Sequence, residues 1–271
     1  MTKQFNTTKE ELQKLGQEFK LQAFTLLDDL FNLAFWLVLK KRVAKKAVWI
    51  TYKKAIYYCD KTKATADWNA WMHRIFFNRI FDYYSANPRA EEFGFELIDN
   101  LKVDSNLVLK FKEIYSDRIK EKELTKLLRN VPQLLLLPLV LKEVANLSYR
   151  TIAEFIDVPD GVISTRIYRA RKLIFIKLLI LDFEESNSVS EKSDLIFKLR
   201  VTAELLDNEL PSSEKDASEE KIKTDPRLKK EYEVQELVKK VLKNSFVTKT
   251  SPERLKQKIK KKAESSFSVK I

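Results

Sequence analysis

Glycine is scarce in this chain, three residues in 271, and proline contributes only seven. So little turn chemistry, beside abundant Leu, Lys and Glu, excludes a strand-and-turn architecture and favours helices, so an all-α fold is expected. One cysteine, Cys59, rules out an intrachain disulfide. With one histidine, His73, a single chain cannot assemble a multi-ligand thiolate or imidazole zinc site. No metal or other cofactor is expected. There is no Gly-rich phosphate loop and no nucleophile–base pair, so the chain does not read as an enzyme. Cys59, on a Tyr-rich helix end, and His73, inside an aromatic helix, read as packing or surface residues. Long apolar runs are missing too. Leu33–Leu39 and Leu134–Leu141 are too short to span a bilayer. The opening MTKQFNTTKEELQKLGQEFK is polar, unlike a signal peptide. A cytoplasmic protein without membrane insertion is expected.

What is present is positive charge. The formal net charge is +12, from 51 basic and 39 acidic residues. Residues 1–183 carry 31 basic and 22 acidic side chains, net +9, against 20 and 17, net +3, in residues 184–271. The excess in the first part suits a polyanionic partner such as nucleic acid, or simply a solvated basic surface.

The stretch Leu147–Lys172, LSYRTIAEFIDVPDGVISTRIYRARK, organises the chain. Ser148 suits the N-cap of a short helix with Ile152, Ala153 and Ile156 on one face. Asp157 to Gly161 is a break of turn formers. In the next helix Ile163, Ile167 and Ala170 point inward. Its other face carries Ser164, Thr165, Arg166, Tyr168, Arg169, Arg171 and Lys172. Two short helices with a basic, hydroxylic second one describe a helix-turn-helix suited to a DNA major groove. An ordinary helical hairpin with a charged solvated face has the same spacing.

A second informative stretch is residues 67–84, DWNAWMHRIFFNRIFDYY, a helix with Asp67 as its cap. Trp71, Arg74, Ile75, Asn78 and Asp82 recur at helical intervals among further rings. Basic surfaces with interleaved aromatics suit single-stranded DNA, whose bases stack on rings. Ile75, Phe76 and Ile80 read as core, and the polar members carry the functional reading.

Leu147–Lys172 resembles the last conserved region of the extracytoplasmic-function sigma factors of bacterial RNA polymerase. LSY, IAE, Pro159, Gly161 and the terminal RARK stand at the family's positions, and Asp157 stands where the family prefers Gly. Trp71, Arg74, Ile75, Asn78 and Asp82 are similar to the family's helix that holds a flipped promoter base and starts strand separation. The resemblance implies that role for Trp71, Arg74, Asn78 and Asp82, with the helix-turn-helix on the upstream promoter element. In the preceding helix the family carries acids that seat it on the polymerase clamp. Aligning on Val48, Thr51 and Tyr52 puts Lys45, Lys46, Trp49 and Ile50 at those positions. The implied polymerase contacts are Lys45, Lys46, Val48, Trp49 and Tyr52, with charge reversed. Ala203–Leu210, AELLDNEL, resembles the start of a small anti-sigma domain, but the His and Cys that bind zinc there are absent.

The expected layout is two small helical domains, a sigma region 2-like bundle over 1–87 and a winged-less helix-turn-helix, region 4-like domain over 121–183, plus a C-terminal helical domain. A linker covers 88–120, a second 184–198, the anti-sigma-like helical domain 199–262, and a tail, with the preceding lysines read as disordered, 263–271. The resemblance implies a sigma factor whose partners are promoter DNA and core RNA polymerase. Its regulator is its own C-terminal domain or a separate anti-sigma protein. The alternatives are a DNA-binding regulator that has lost polymerase binding, and a protein-interaction regulator acting through the C-terminal domain.

Overall fold

The computed structural model describes residues 9–59, 67–88, 95–100, 102–115, 117–179 and 194–267. Among them there is no strand, and the all-α expectation holds. The helices are α1 (Lys9–Ala23), α2 (Leu27–Val38), α3 (Lys41–Tyr58), α4 (Trp68–Ala86), α5 (Phe95–Asn100), α6 (Ser105–Ile114) and α7 (Glu121–Arg129). They continue as α8 (Gln133–Glu143), α9 (Tyr149–Ile156), α10 (Asp160–Leu179), α11 (Asp194–Leu206), α12 (Ser212–Thr224), α13 (Pro226–Ser245) and α14 (Glu253–Phe267). The chain forms two compact units, one holding α1–α4 with α14, the other α5–α13.

In the first unit, α2 buries Leu30, Phe31, Trp36 and Leu37 against α3 and α4, which supply Val48, Tyr52, Phe76, Phe77 and Ile80. Two tyrosines lock this core from inside. The Tyr52 hydroxyl donates to the Ala23 carbonyl, and Tyr84 donates to the Leu37 carbonyl at 2.9 Å. Asp67 caps α4 by accepting from the Ala70 amide at 2.9 Å, as its position predicts. α14 returns to this unit. Leu255, Ile259, Ala263 and Phe267, spaced four apart, form its buried stripe. Asp28 of α2 anchors its start by accepting from the Ser251 amide and hydroxyl at 2.7 and 2.6 Å. The Lys260–Lys262 run and Ser265–Ser266, expected as a disordered tail, are therefore helical, because the apolar stripe runs through them to Phe267.

In the second unit, α8 is apolar nearly all round and sits centrally, burying Leu135 to Leu141. The stretch expected as a linker with local helix, 88–120, contains α5 and α6, and it packs into the unit: Phe111 of α6 stacks on Phe175 of α10 at 4.9 Å. The helices α11–α13, largely within the anti-sigma-like domain expected over residues 199–262, share one compact unit with α10. Leu199, Ala203, Leu205, Ile222 and Leu228 complete their core around Tyr168 of α10. Among the described residues no single helix is long and apolar enough to cross a membrane.

Candidate nucleic-acid interface

The helix-turn-helix forms as its local signals dictate. The Ser148 hydroxyl accepts from the Thr151 amide at 3.1 Å and starts α9. Asp157 ends it in the left-handed region, φ 55°, which Asp tolerates better than most residues. α10 then begins at Asp160. Gly161 has an ordinary helical backbone; its missing side chain makes room for the guanidinium of Arg200 from α11, which donates to the Gly161 carbonyl at 3.4 Å.

The face of α10 expected to look outward does not. Ser164, Tyr168, Arg171 and Lys172 are fully buried, and Thr165, Arg166 and Arg169 are half-buried. The hydroxyls of Ser164 and Thr165 donate back to the Gly161 carbonyl at 3.0 and 2.9 Å. Arg169 forks onto Asp99 of α5 at 2.5–3.2 Å and lies over the Phe95 ring. Arg171 reaches Glu143 of α8 at 2.5 Å and both Asp207 oxygens at 2.9 Å. Lys172 pairs with Glu231 of α13 at 2.7 Å, and the Tyr168 hydroxyl donates to the other oxygen of Glu231 at 2.9 Å. The physical reason is that α10 is wrapped. α8 and α9 cover one side, and α11 and α13 cover the side the sequence assigns to solvent. Asp160 is exposed, and Gly161, Val162, Thr165, Arg166 and Arg169 near the start of α10, with Ile176, Lys177 and Leu179 near its end, keep partial access to solvent.

Burial and pairing set the electrostatics. Burial raises the Tyr168 phenol well above its ordinary range, and the Glu231 charge adds to that. Burial likewise lowers the Lys172 ammonium, with Glu231 opposing. Burial works against an ionised Asp207, but Arg171, Lys239 and Tyr149 outweigh it and hold the carboxyl below 3.8. Tyr149 donates to Asp207 at 2.7 Å, and Lys239 lies 2.8 Å away. Glu209 completes the grip. It pairs with Lys142 at 2.5 Å and accepts from the Tyr149 amide at 3.0 Å, at the first turn of α9. Asp207 and Glu209 are the two acids after the helix in AELLDNEL, so that stretch meets the helix-turn-helix directly. Sequence reasoning missed Asp99, Glu143, Asp207 and Glu231 as partners of the α10 cations, and for Asp99 and Glu231 it had no local signal to use.

α4 follows its pattern except at Ile75, expected as core but lying on the outer stripe between Trp71 and Asn78. Arg74, Asn78 and Asp82 are exposed, Trp71 and Ile75 half-exposed, while Phe76, Phe77 and Ile80 are core. Trp71 meets Trp68 edge-on at 5.4 Å, and Asp82 lies 3.8 Å from Arg79. The stripe offers a ring, a cation, an amide and a carboxylate together.

The positions assigned to polymerase contact on α3 split. Lys45 and Lys46 are exposed. Val48 and Tyr52 are fully buried in the first unit's core and present no surface, because they fall on the inward stripe of α3 with Ala44, Thr51 and Ala55. Trp49 is half-buried under the Lys258 ammonium of α14, 4.1 Å from the ring.

Comparison with known proteins supports a sigma-factor relationship. The chain is 28% identical over 131 residues to a Haemophilus influenzae protein named ECF RNA polymerase sigma-E factor, a match covering 46% of this chain and 68% of that protein. No protein-family model matches.

Proposed function

We propose that this chain is a non-enzymatic sigma factor that directs bacterial RNA polymerase to promoters and is held closed by its own C-terminal helices. Three things support the reading: the likeness to the ECF sigma-E factor, the helix-turn-helix, and the exposed polar stripe of α4. α4 would meet opened strands at Trp71, Arg74, Asn78 and Asp82. α10 would meet duplex DNA with Ser164, Thr165, Arg166, Tyr168, Arg169, Arg171 and Lys172 once released. The partners are promoter DNA and core polymerase, and the place of action is the cytoplasm.

One observation carries the closed state: carboxylates of the C-terminal segment, Asp207 and Glu231, take up Arg171 and Lys172 at 2.7–2.9 Å. Acids stand there where phosphates would stand in an open form. The test is run-off transcription with core polymerase, using the full chain, a D207N/E231Q variant and a chain ending at Glu185. Low output from the full chain and higher output from both others is expected. Equal or lower output would remove the inhibition, and no promoter-dependent transcript from any form would remove the sigma reading.

A second reading is favoured by α3: a DNA-binding regulator that does not engage polymerase. This helix carries six basic and no acidic residues, buries Val48 and Tyr52, and has Trp49 covered by Lys258. Co-purification of core polymerase with the D207N/E231Q variant would exclude it.

A further inference from the structure

We infer that the cleft between α3 and α14 is a binding site for single-stranded nucleic acid, separate from the α4 stripe and independent of the sigma-factor reading. The cleft, of about 530 Å³, is lined by Lys53, Lys54, Ile56, Tyr57, Tyr58, Lys262 and Ser266. No carboxylate is among them, and none of the three lysines makes an ion pair among the described residues. The surroundings sharpen the charge. α3 has six basic residues and no acid, and α14 has six basic residues against two acids. Packing two helices of like sign side by side is electrostatically unfavourable, yet the stripe Leu255, Ile259, Ala263 and Phe267 and the Lys258–Trp49 contact hold them together. The result is a fixed positive cleft, the arrangement that concentrates a polyanion.

The rings choose among polyanions. Tyr57 and Tyr58 are 60% and 46% exposed, among the most exposed large apolar side chains described, and they meet edge-on at 4.9 Å. Two exposed tyrosine rings beside three lysines match unpaired bases on a phosphate backbone. A duplex hides its base faces and an acidic peptide has none, so both leave the tyrosines idle.

The test is fluorescence anisotropy of the full chain with oligothymidylate and oligouridylate of roughly 16 nucleotides, without polymerase or promoter. Preference for one oligomer identifies DNA or RNA as the source of the strand. K53Q/K54Q/K262Q should make the slope of log K against log salt shallower by about 2, at roughly 0.7 per lost phosphate contact. Y57A and Y58A should each weaken binding about tenfold, while Y57F and Y58F retain it, because stacking needs the ring and not the hydroxyl. K110Q/K122Q/K126Q, the same charge change at exposed positions of α6 and α7, should leave the binding unchanged. An unchanged slope in the cleft variant, equal loss in the matched variant, or full affinity after both Tyr→Ala changes would each overturn the site. So would polyglutamate competing as well as the oligomers. Failure here leaves the transcription result untouched, and failure there leaves this binding intact.

Discussion

At the residue scale, the buried cations of α10 are the most consequential groups in the molecule. A guanidinium and an ammonium taken out of water are tolerated only when carboxylates and hydrogen bonds surround them. Asp207 does most of this, holding Arg171, Tyr149 and Lys239 at once. Its carboxyl lies below 3.8 in the folded chain, so its contribution is fully present above that value and is lost as pH falls through the lower folded one. Asp207→Asn should therefore destabilise the second unit by about 3–5 kcal/mol at neutral pH, as for one partner of a buried pair. The difference from wild type in urea titrations should shrink as pH drops below 3.8. A gap that stays constant with acidification would show that Asp207 acts through shape and not charge.

The same residues show where the sequence is legible. Ser148 and Asp67 do what their positions predict, since an N-cap bonds to an amide two or three residues on, and Asp157 tolerates the left-handed turn that ends α9. The partners of Arg171, Lys172 and Arg169 lie 28 to 70 positions away, and no local rule reaches that far. A helix whose polar face is covered by distant segments looks, by periodicity, like one with a charged outer face.

At the element scale, α14 shows a pattern that was present and outvoted. The four-residue spacing of Leu255, Ile259, Ala263 and Phe267 is a helix stripe, but the lysine run and serines around it read as tail. The segment's place in the first unit depends on a close approach. At Gly16 of α1 an added Cβ would lie 2.8 Å from the Phe267 Cβ. Within a helix Gly→Ala ordinarily stabilises by about 0.5–1 kcal/mol. Here both contacting atoms are fixed near the backbone, so Gly16→Ala should instead destabilise by about 1–3 kcal/mol, the usual cost of overpacking. In a Phe267→Gly background the obstructing Cβ and ring are both gone, and the same change should turn stabilising. Thermal unfolding of the four chains reads this sign reversal directly, and a Gly16→Ala effect of the same sign in both backgrounds would refute the proposed contact.

At the scale of the whole molecule, the proposed function implies an equilibrium between closed and open forms of α10. Duplex DNA cannot reach Tyr168, Arg171 and Lys172 while α11 and α13 cover them, so the apparent dissociation constant is the intrinsic one divided by the open fraction. Glu231→Gln leaves Lys172 buried without its countercharge, at a cost of about 3–5 kcal/mol to the closed form only. Three kcal/mol is roughly a 150-fold shift in population, because every 1.4 kcal/mol is tenfold. Affinity for a mixed-sequence duplex should therefore rise up to about a hundredfold and level off once the open form dominates. Helix content by circular dichroism should stay near wild type, since opening separates helices without melting them. A variant that keeps its helices, exchanges the α10 amides faster and still binds duplex no more tightly would mean that the α10 cations are structural core and that the chain reaches DNA, if at all, by another surface.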